Sequence, residues 1–227
     1  MRILVVAATQ FEILPLLEFL SQNFKQKSNT YYQKDKLEIQ VLITGIGLMH
    51  TAFALAWVLR GNPVDWALHL GIAGALNTNL KIGDVLNIIS EQQADWGVEE
   101  ANGELTDFFD LQLTDWNQTP YINGKLYNPN IGDFDFLPTA RALSVNKVHG
   151  TTQSIAKLKT KYEADIETME GAAFFYSCLV AKIDFLQIRS ISNYVEERDK
   201  ENWNIPLAVE NLNKTAQSLL EVFSEKS

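Results

Sequence analysis

The sequence predicts an α/β protein, and three observations carry that expectation. Short β-rich runs such as ILVVAA and VLITG are each followed by a segment with helical apolar spacing, and DWALHLGIAGAL begins the same plan again. The runs are nearly continuous in apolar residues, which suits strands covered on both faces. At 227 residues the chain is long for one compact domain and short for two, and a single domain over 1–227 is expected.

The elements follow in order. ILVVAA stops at Thr9-Gln10-Phe11-Glu12, before ILPLLEFL takes up helical spacing. Glu12 therefore stands at the carboxyl end of a strand, the edge where ligands bind in open α/β sheets. A carboxylate in a first helical turn is equally explained by the helix dipole, and position alone leaves both readings standing. TYYQKDKLEIQVLITG predicts a hairpin turning at Lys34 to Lys36, and Gly45-Ile46-Gly47 leads into the helical LMHTAFALAWVLR. Strand, Gly-x-Gly and helix suggest a dinucleotide fingerprint, but His50 occupies the third glycine's place, so a tight turn accounts for the glycines better. His50 is left as a group that could reach a site or a subunit interface.

DWALHLGIAGAL is a strand running into Gly71-Ile72-Ala73-Gly74, small residues that let a ligand approach the backbone. His69 within it reads as a satisfied core histidine. A turn at Gly83-Asp84 precedes the strand VLNIIS. From about 99 to 138 the composition shifts to acids, aromatics, Asn, Gly and Pro without helical period, which predicts an irregular excursion covering a pocket or a partner subunit. Its acids, Glu99, Glu100, Glu104, Asp107 and Asp110, read as a solvated face. RALSVNKVHG is a further strand, QSIAKLKTKY a surface helix, and NIPLAVENLNKTAQSLLEVF a final amphipathic helix.

DIETMEGAAFFYSCLVAKIDFLQIRSISN, residues 165–193, predicts a strand, a buried helix and a second strand. Core packing explains its apolar residues. It does not explain Glu167 and Glu170 at the first junction, or Arg189, Ser192 and Asn193 where the second strand ends, because buried charges need partners. Glu170 also suits a helix N-terminus as a purely electrostatic residue.

A net charge of −9 argues against nucleic acid or an anionic membrane as partner and favours a small molecule. Cys178 is the only cysteine and lies in the apolar helix, as a buried inert thiol would. The three histidines, at 50, 69 and 149, lack metal-ligand spacing, so no metal is expected. With neither a signal-peptide core nor an apolar run of membrane-spanning length, a cytoplasmic protein is expected.

Taken together, VVAATQFE, TGIG, HLGIAGALNTNLKIGD, IETMEGAA and IRSISN resemble, in order and spacing over nearly the whole chain, the nucleoside phosphorylase and nucleosidase superfamily. ADWG, FFDLQL and PYINGKLYNP resemble its futalosine hydrolases more than its methylthioadenosine nucleosidases. The resemblance implies a central mixed, twisted sheet flanked by helices, a homo-oligomer (dimer or tetramer), no cofactor, and hydrolysis of a purine N-ribosidic bond. It implies that Glu12 activates water, Arg189 positions it and Glu170 holds the ribose hydroxyls. Met169 would line the ribose, Ala73 and Gly74 would floor the site, and the segment around Val148 would contact the base.

Asn193 stands where adenine-specific members carry Asp. Its amide has two N–H donors, enough for N7 and O6 of a 6-oxopurine, and cannot act as a general acid. That points to hypoxanthine as the leaving base. Phosphorylases of the superfamily carry Arg and Ser or Thr where this chain has His69 and Ile72, a poor phosphate cradle, so water is the expected nucleophile. The family's stacking aromatic is replaced by Val148, which leaves Trp96, Phe108, Phe109 or Trp203 as candidates. The rival readings are another nucleosidase, a phosphorylase acting on inosine or methylthioadenosine, and a nucleoside sensor without turnover.

Overall fold

The computed structural model describes residues 1–225 except 62, 135, 198 and 199. In chain order the first half holds β1 (Arg2–Ala7), α1 (Leu14–Asn23), β2 (Lys25–Ser28), β3 (Tyr31–Lys34), β4 (Leu37–Ile43), α2 (Leu48–Gly61), β5 (Trp66–Ala75) and β6 (Val85–Gln93). There follow β7 (Gly97–Glu99), β8 (Leu105–Asp107), β9 (Leu126–Tyr127), β10 (Thr139–Ser144), α3 (Thr152–Lys161), β11 (Ile166–Thr168), α4 (Gly171–Ala181), β12 (Asp184–Tyr194) and α5 (Ile205–Glu225).

The main sheet is mixed, in the order β11-β10-β6-β12-β5-β1-β4-β3-β2, with β9 paired to β6. β11 also pairs antiparallel with the end of β5, so β5, β12, β6, β10 and β11 close into a ring. The other end stays open. There β2 (KQKS) is fully exposed, and its two lysines suit a strand edge that faces water.

Two apolar layers enclose the sheet. On one side Leu16 and Leu20 of α1 and Leu212, Ala216, Leu219, Leu220 and Phe223 of α5 pack against β1, β4 and β5. On the other side Leu55 and Val58 of α2 and Phe174, Phe175 and Cys178 of α4 pack on its opposite face. Each fully buried Leu or Phe contributes roughly 1.5 to 3 kcal/mol. Burial also pushes the Cys178 thiol well up from its ordinary value. No helix among the described residues is long and apolar enough to cross a membrane.

Within the excursion, structure consists mainly of short pairings and turns, and one expectation about it needs correction. Phe109, Leu126 and Phe134 are core residues, and Phe134 packs on Trp66 and Phe223. Asp107 is buried rather than solvated. Its carboxylate accepts from the backbone N–H of Phe109 and Asp110 and lies 3.2 Å from Lys161 Nζ.

β12 is the longest strand. It runs parallel to β5 up to Ile191–Ala73 and resumes at Asn193–Gly74, leaving Ser192 as an extra residue, a bulge. The faces change over there: Phe185 and Ile191 pack beneath α2 and α4 before the bulge, and Tyr194 does so after it.

Candidate active site

The turn after β1 carries Glu12 into the molecule, while its neighbour Phe11 stays exposed. Asn213 of α5 fixes that turn from behind, donating to the Glu12 carbonyl at 2.8 Å and accepting from Leu16 N at 3.0 Å. The Glu12 carboxylate does not cap its own helix. Oε2 accepts from Thr9 N (3.0 Å) and Thr9 Oγ1 (2.9 Å), and Oε1 accepts from Ile72 N on β5 (3.2 Å). A carboxylate offers about four lone-pair sites, so one remains for a further donor.

Glu170 sits at the N-cap position of α4 without capping it. Instead Oε1 accepts from Gly47 N at 2.9 Å, and Oε2 lies 3.9 Å from Arg189 Nη2. Gly45 and Gly47 have φ of +86° and +97°, so the Gly-x-Gly motif is a turn that needs glycine, and it also presents an N–H to this carboxylate. Burial pushes the Glu170 carboxyl up, opposed by Arg189 and the Gly47 hydrogen bond and reinforced by the nearby negative charge of Glu12.

Arg189 is wholly buried on β12, opposite Gly71. A Cβ on Gly71 would overlap the guanidinium, so glycine makes room for it. Arg189 Nη2 lies 3.2 Å from each ring nitrogen of His69, while Nε and Nη1 have no hydrogen-bond partner among the described residues. Unpaired donors on a buried charge are costly, and a water or sugar oxygen between Glu12, Glu170 and Arg189 would satisfy them.

His69 is buried, as expected, but it is also the support on which Arg189 rests. Its Nδ1 lies 2.9 Å from Gln187 Oε1, and Gln187 Nε2 donates to Glu91 Oε1 at 2.5 Å. A carboxamide oxygen only accepts, so the ring proton sits on Nδ1. Burial, then the charge of Arg189, push His69 well below its ordinary value against the Gln187 hydrogen bond, and the ring is neutral. Glu91 also accepts from Ser144 Oγ (2.8 Å) and Thr168 Oγ1 (3.3 Å), and burial pushes it up to about 7. Sequence reasoning missed Glu91 and Gln187. The available signal was a polar residue inside each of two apolar strands.

Beyond the Glu12 end, a cavity of about 420 Å³ is lined by Gly74, Val148, His149, Glu167, Asn193 and Trp203, among others. Gly74 is two residues from Ile72 along β5, about 7 Å in an extended strand, so Ala73 lies between the carboxylate cluster and this cavity. Val148 is exposed at the rim, and Met169 is half-buried between β11 and α4. Of the four stacking candidates only Trp203 lines the cavity. Trp96, Phe108 and Phe109 instead pack together near Tyr121.

Asn193 also departs from expectation. Its Oδ1 accepts from Ser192 Oγ at 2.7 Å and its Nδ2 donates to the Tyr194 carbonyl at 2.9 Å. Flipping the amide would set its oxygen against that carbonyl, so the orientation is determined. One N–H is thus committed to the backbone, and one, not two, remains for a ligand.

With this geometry in view, the comparisons with known proteins agree on kinship. A family model described as the phosphorylase superfamily matches residues 2–225. The chain is 32% identical to the futalosine hydrolase of Thermus thermophilus over 183 residues, covering 79% of this chain and 80% of that protein. It is 26% identical to the 5′-methylthioadenosine/S-adenosylhomocysteine nucleosidase of Buchnera aphidicola over 242 residues, covering 100% and 99%. Among solved structures, that nucleosidase from Neisseria meningitidis, in complex with methylthio-immucillin-A, superposes with a TM-score of 0.77 at 21% identity, covering 97% of this chain and 99% of that one.

Proposed function

The chain belongs to the phosphorylase superfamily and is an N-glycosidic hydrolase of the nucleosidase kind, and from that premise we propose that its substrate is futalosine. The products are hypoxanthine and dehypoxanthinyl futalosine, a step of menaquinone biosynthesis. What supports this reading is the 32% identity to a futalosine hydrolase over 79% of the chain, together with Asn193 beside Gly74, whose remaining amide N–H can serve an acceptor on the leaving base. An amide donates to N7 or O6 of a 6-oxopurine without needing a titratable proton.

Cleavage builds positive charge on the ribose and negative charge on the base. In this reading a water bound between Glu12 and Arg189 attacks the anomeric carbon, Glu12 taking its proton through its remaining lone pair. Arg189 Nε and Nη1 orient that water, and Glu170 accepts from the ribose hydroxyls while its charge favours the oxocarbenium-like state. Asn193 donates to the departing base. The chemistry parallels glycosidases, where a carboxylate also directs water at such a state. Ala73 and Gly74 form the floor, with Val148 at the rim and Met169 on the sugar side.

Water is favoured over phosphate by charge. A phosphate dianion there would meet Glu12 and Glu170 with Arg189 as the one neighbouring cation among the described residues. His69, at a phosphate-holding place of the phosphorylases, is engaged by Gln187 and Arg189. No cofactor takes part. A homo-oligomer is supported by Met49, Phe53 and Trp57, spaced four apart on α2 and 74%, 71% and 77% exposed. We place the enzyme in the cytoplasm, with a small purine nucleoside and neither nucleic acid nor membrane as partner.

The test is base release from futalosine, inosine and methylthioadenosine, with and without phosphate. Hypoxanthine from futalosine alone, at a rate indifferent to phosphate, is expected. Adenine release would overturn the base assignment, phosphate dependence would make the protein a phosphorylase, and ligand binding without turnover would make it a sensor.

A further inference from the structure

Asn193 has one N–H left for a ligand, whereas a 6-oxopurine presents acceptors at N7 and O6 and a ring N–H at N1. Reading the N1 side needs a second polar group in the same cavity. Glu167 and Asn193 both pair with Gly74, from β11 and β12 on its two sides, so they face one another across β5 about 10 Å apart at the backbone. Glu167 carries His149 with it: Oε1 accepts from His149 N at 3.1 Å and Oε2 pairs with Nδ1 at 2.5 Å. The Glu167 side chain is 3% exposed and that of His149 17%, so the pair is built into the cavity wall rather than lying free on the surface.

We infer that His149, oriented by Glu167, is the second specificity-determining residue for the base, its Nε2 accepting the N1–H of a 6-oxopurine while Asn193 holds the opposite edge.

The carboxylate is an acceptor and keeps a proton on Nδ1, which leaves Nε2 as the ring nitrogen that can accept. Nε2 has no hydrogen bond among the described residues. A 6-aminopurine carries a lone pair, not a proton, at N1, so two acceptors would meet there. An unmade hydrogen bond at such a site reduces affinity by about 5- to 150-fold. Glu167 touches no base and acts as a positioning residue.

The inference rests on the 6-oxopurine reading above, and the experiment separates the two. Binding of hypoxanthine, 1-methylhypoxanthine and adenine is measured calorimetrically for the wild type and for His149→Phe, which keeps a ring but removes the acceptor. The wild type is expected to favour hypoxanthine over each of the others by about fivefold or more. In His149→Phe the preference over 1-methylhypoxanthine is expected to disappear, while a merely steric effect of the methyl group would persist. Equal wild-type binding of hypoxanthine and 1-methylhypoxanthine, which needs no folded variant to observe, would overturn the role of Nε2. So would a methyl penalty unchanged in His149→Phe, and in both cases the 6-oxopurine reading would stand. Preference of the wild type for adenine, or no binding of any base, would overturn both readings.

Discussion

Replacing Glu91 by Gln is expected to stabilise the protein at pH 8 and to change little at pH 4.5. The Glu91 carboxyl is wholly buried, and burial drives it from 4.5 to about 7 against hydrogen bonds from Gln187, Ser144 and Thr168 and the attraction of Arg189. In the unfolded chain the group titrates near its ordinary value. Between about pH 4.5 and 7 the unfolded state therefore gives up a proton that the folded state keeps, and stability falls as pH rises through that window. The gap corresponds to about 3 kcal/mol, present below pH 4.5 and lost above about pH 7. Gln cannot ionise, and its carbonyl can still accept from Gln187 Nε2. Urea unfolding followed by circular dichroism at several pH values measures the difference. The variant should match the wild type within about 1 kcal/mol at pH 4.5 and exceed it by about 3 kcal/mol at pH 8. A difference independent of pH, or a variant less stable at pH 8, would refute the reasoning.

Three further outcomes are expected. Glu12→Gln should lower turnover by about 10²- to 10⁴-fold with little change in melting temperature, and near wild-type turnover would remove Glu12 from water activation. Gly71→Ala places a methyl group where the Arg189 guanidinium lies, so a loss of about 1 to 3 kcal/mol together with loss of activity is expected in unfolding and rate assays. Phe53→Glu combined with Trp57→Glu should shift sedimentation towards the monomer while leaving the fold intact. An unchanged sedimentation coefficient would mean that this face of α2 is not the subunit contact.

The alternation of apolar strands and helical segments was legible because burial imposes it directly on residue order. β2 was not: KQKS has no apolar face, and pairing with β3 alone makes it a strand. Ring closure between β5 and β11 was equally hidden, since a strand of three residues meeting another about ninety positions earlier leaves no local pattern. At the site, Glu12, Glu170, Arg189 and Asn193 stood out as polar groups at element ends, and the structure places the first three around one point. Glu91 and Gln187 did not stand out, and His69 read only as a core histidine, because each looks like an ordinary strand residue and only the fold brings them into contact. Asn193 shows a subtler limit. Its two donors could be counted from the residue type, but the claim of the Tyr194 carbonyl on one of them follows from the local chain path.

The bulge at Ser192 has a consequence for how such a site can diversify. Before it, β12 sets Arg189 against the carboxylates. After it, the inside and outside of the strand are exchanged, and Asn193 lines the cavity beside Gly74. Inserting or removing one residue in a continuous strand would invert every side chain beyond the change. Here that inversion is already absorbed at one unpaired position, so the two ends of the strand form separate modules on one rigid ruler. A residue facing the cavity beyond Ser192 can therefore be exchanged without shifting the segment that holds Arg189 against Glu12 and Glu170.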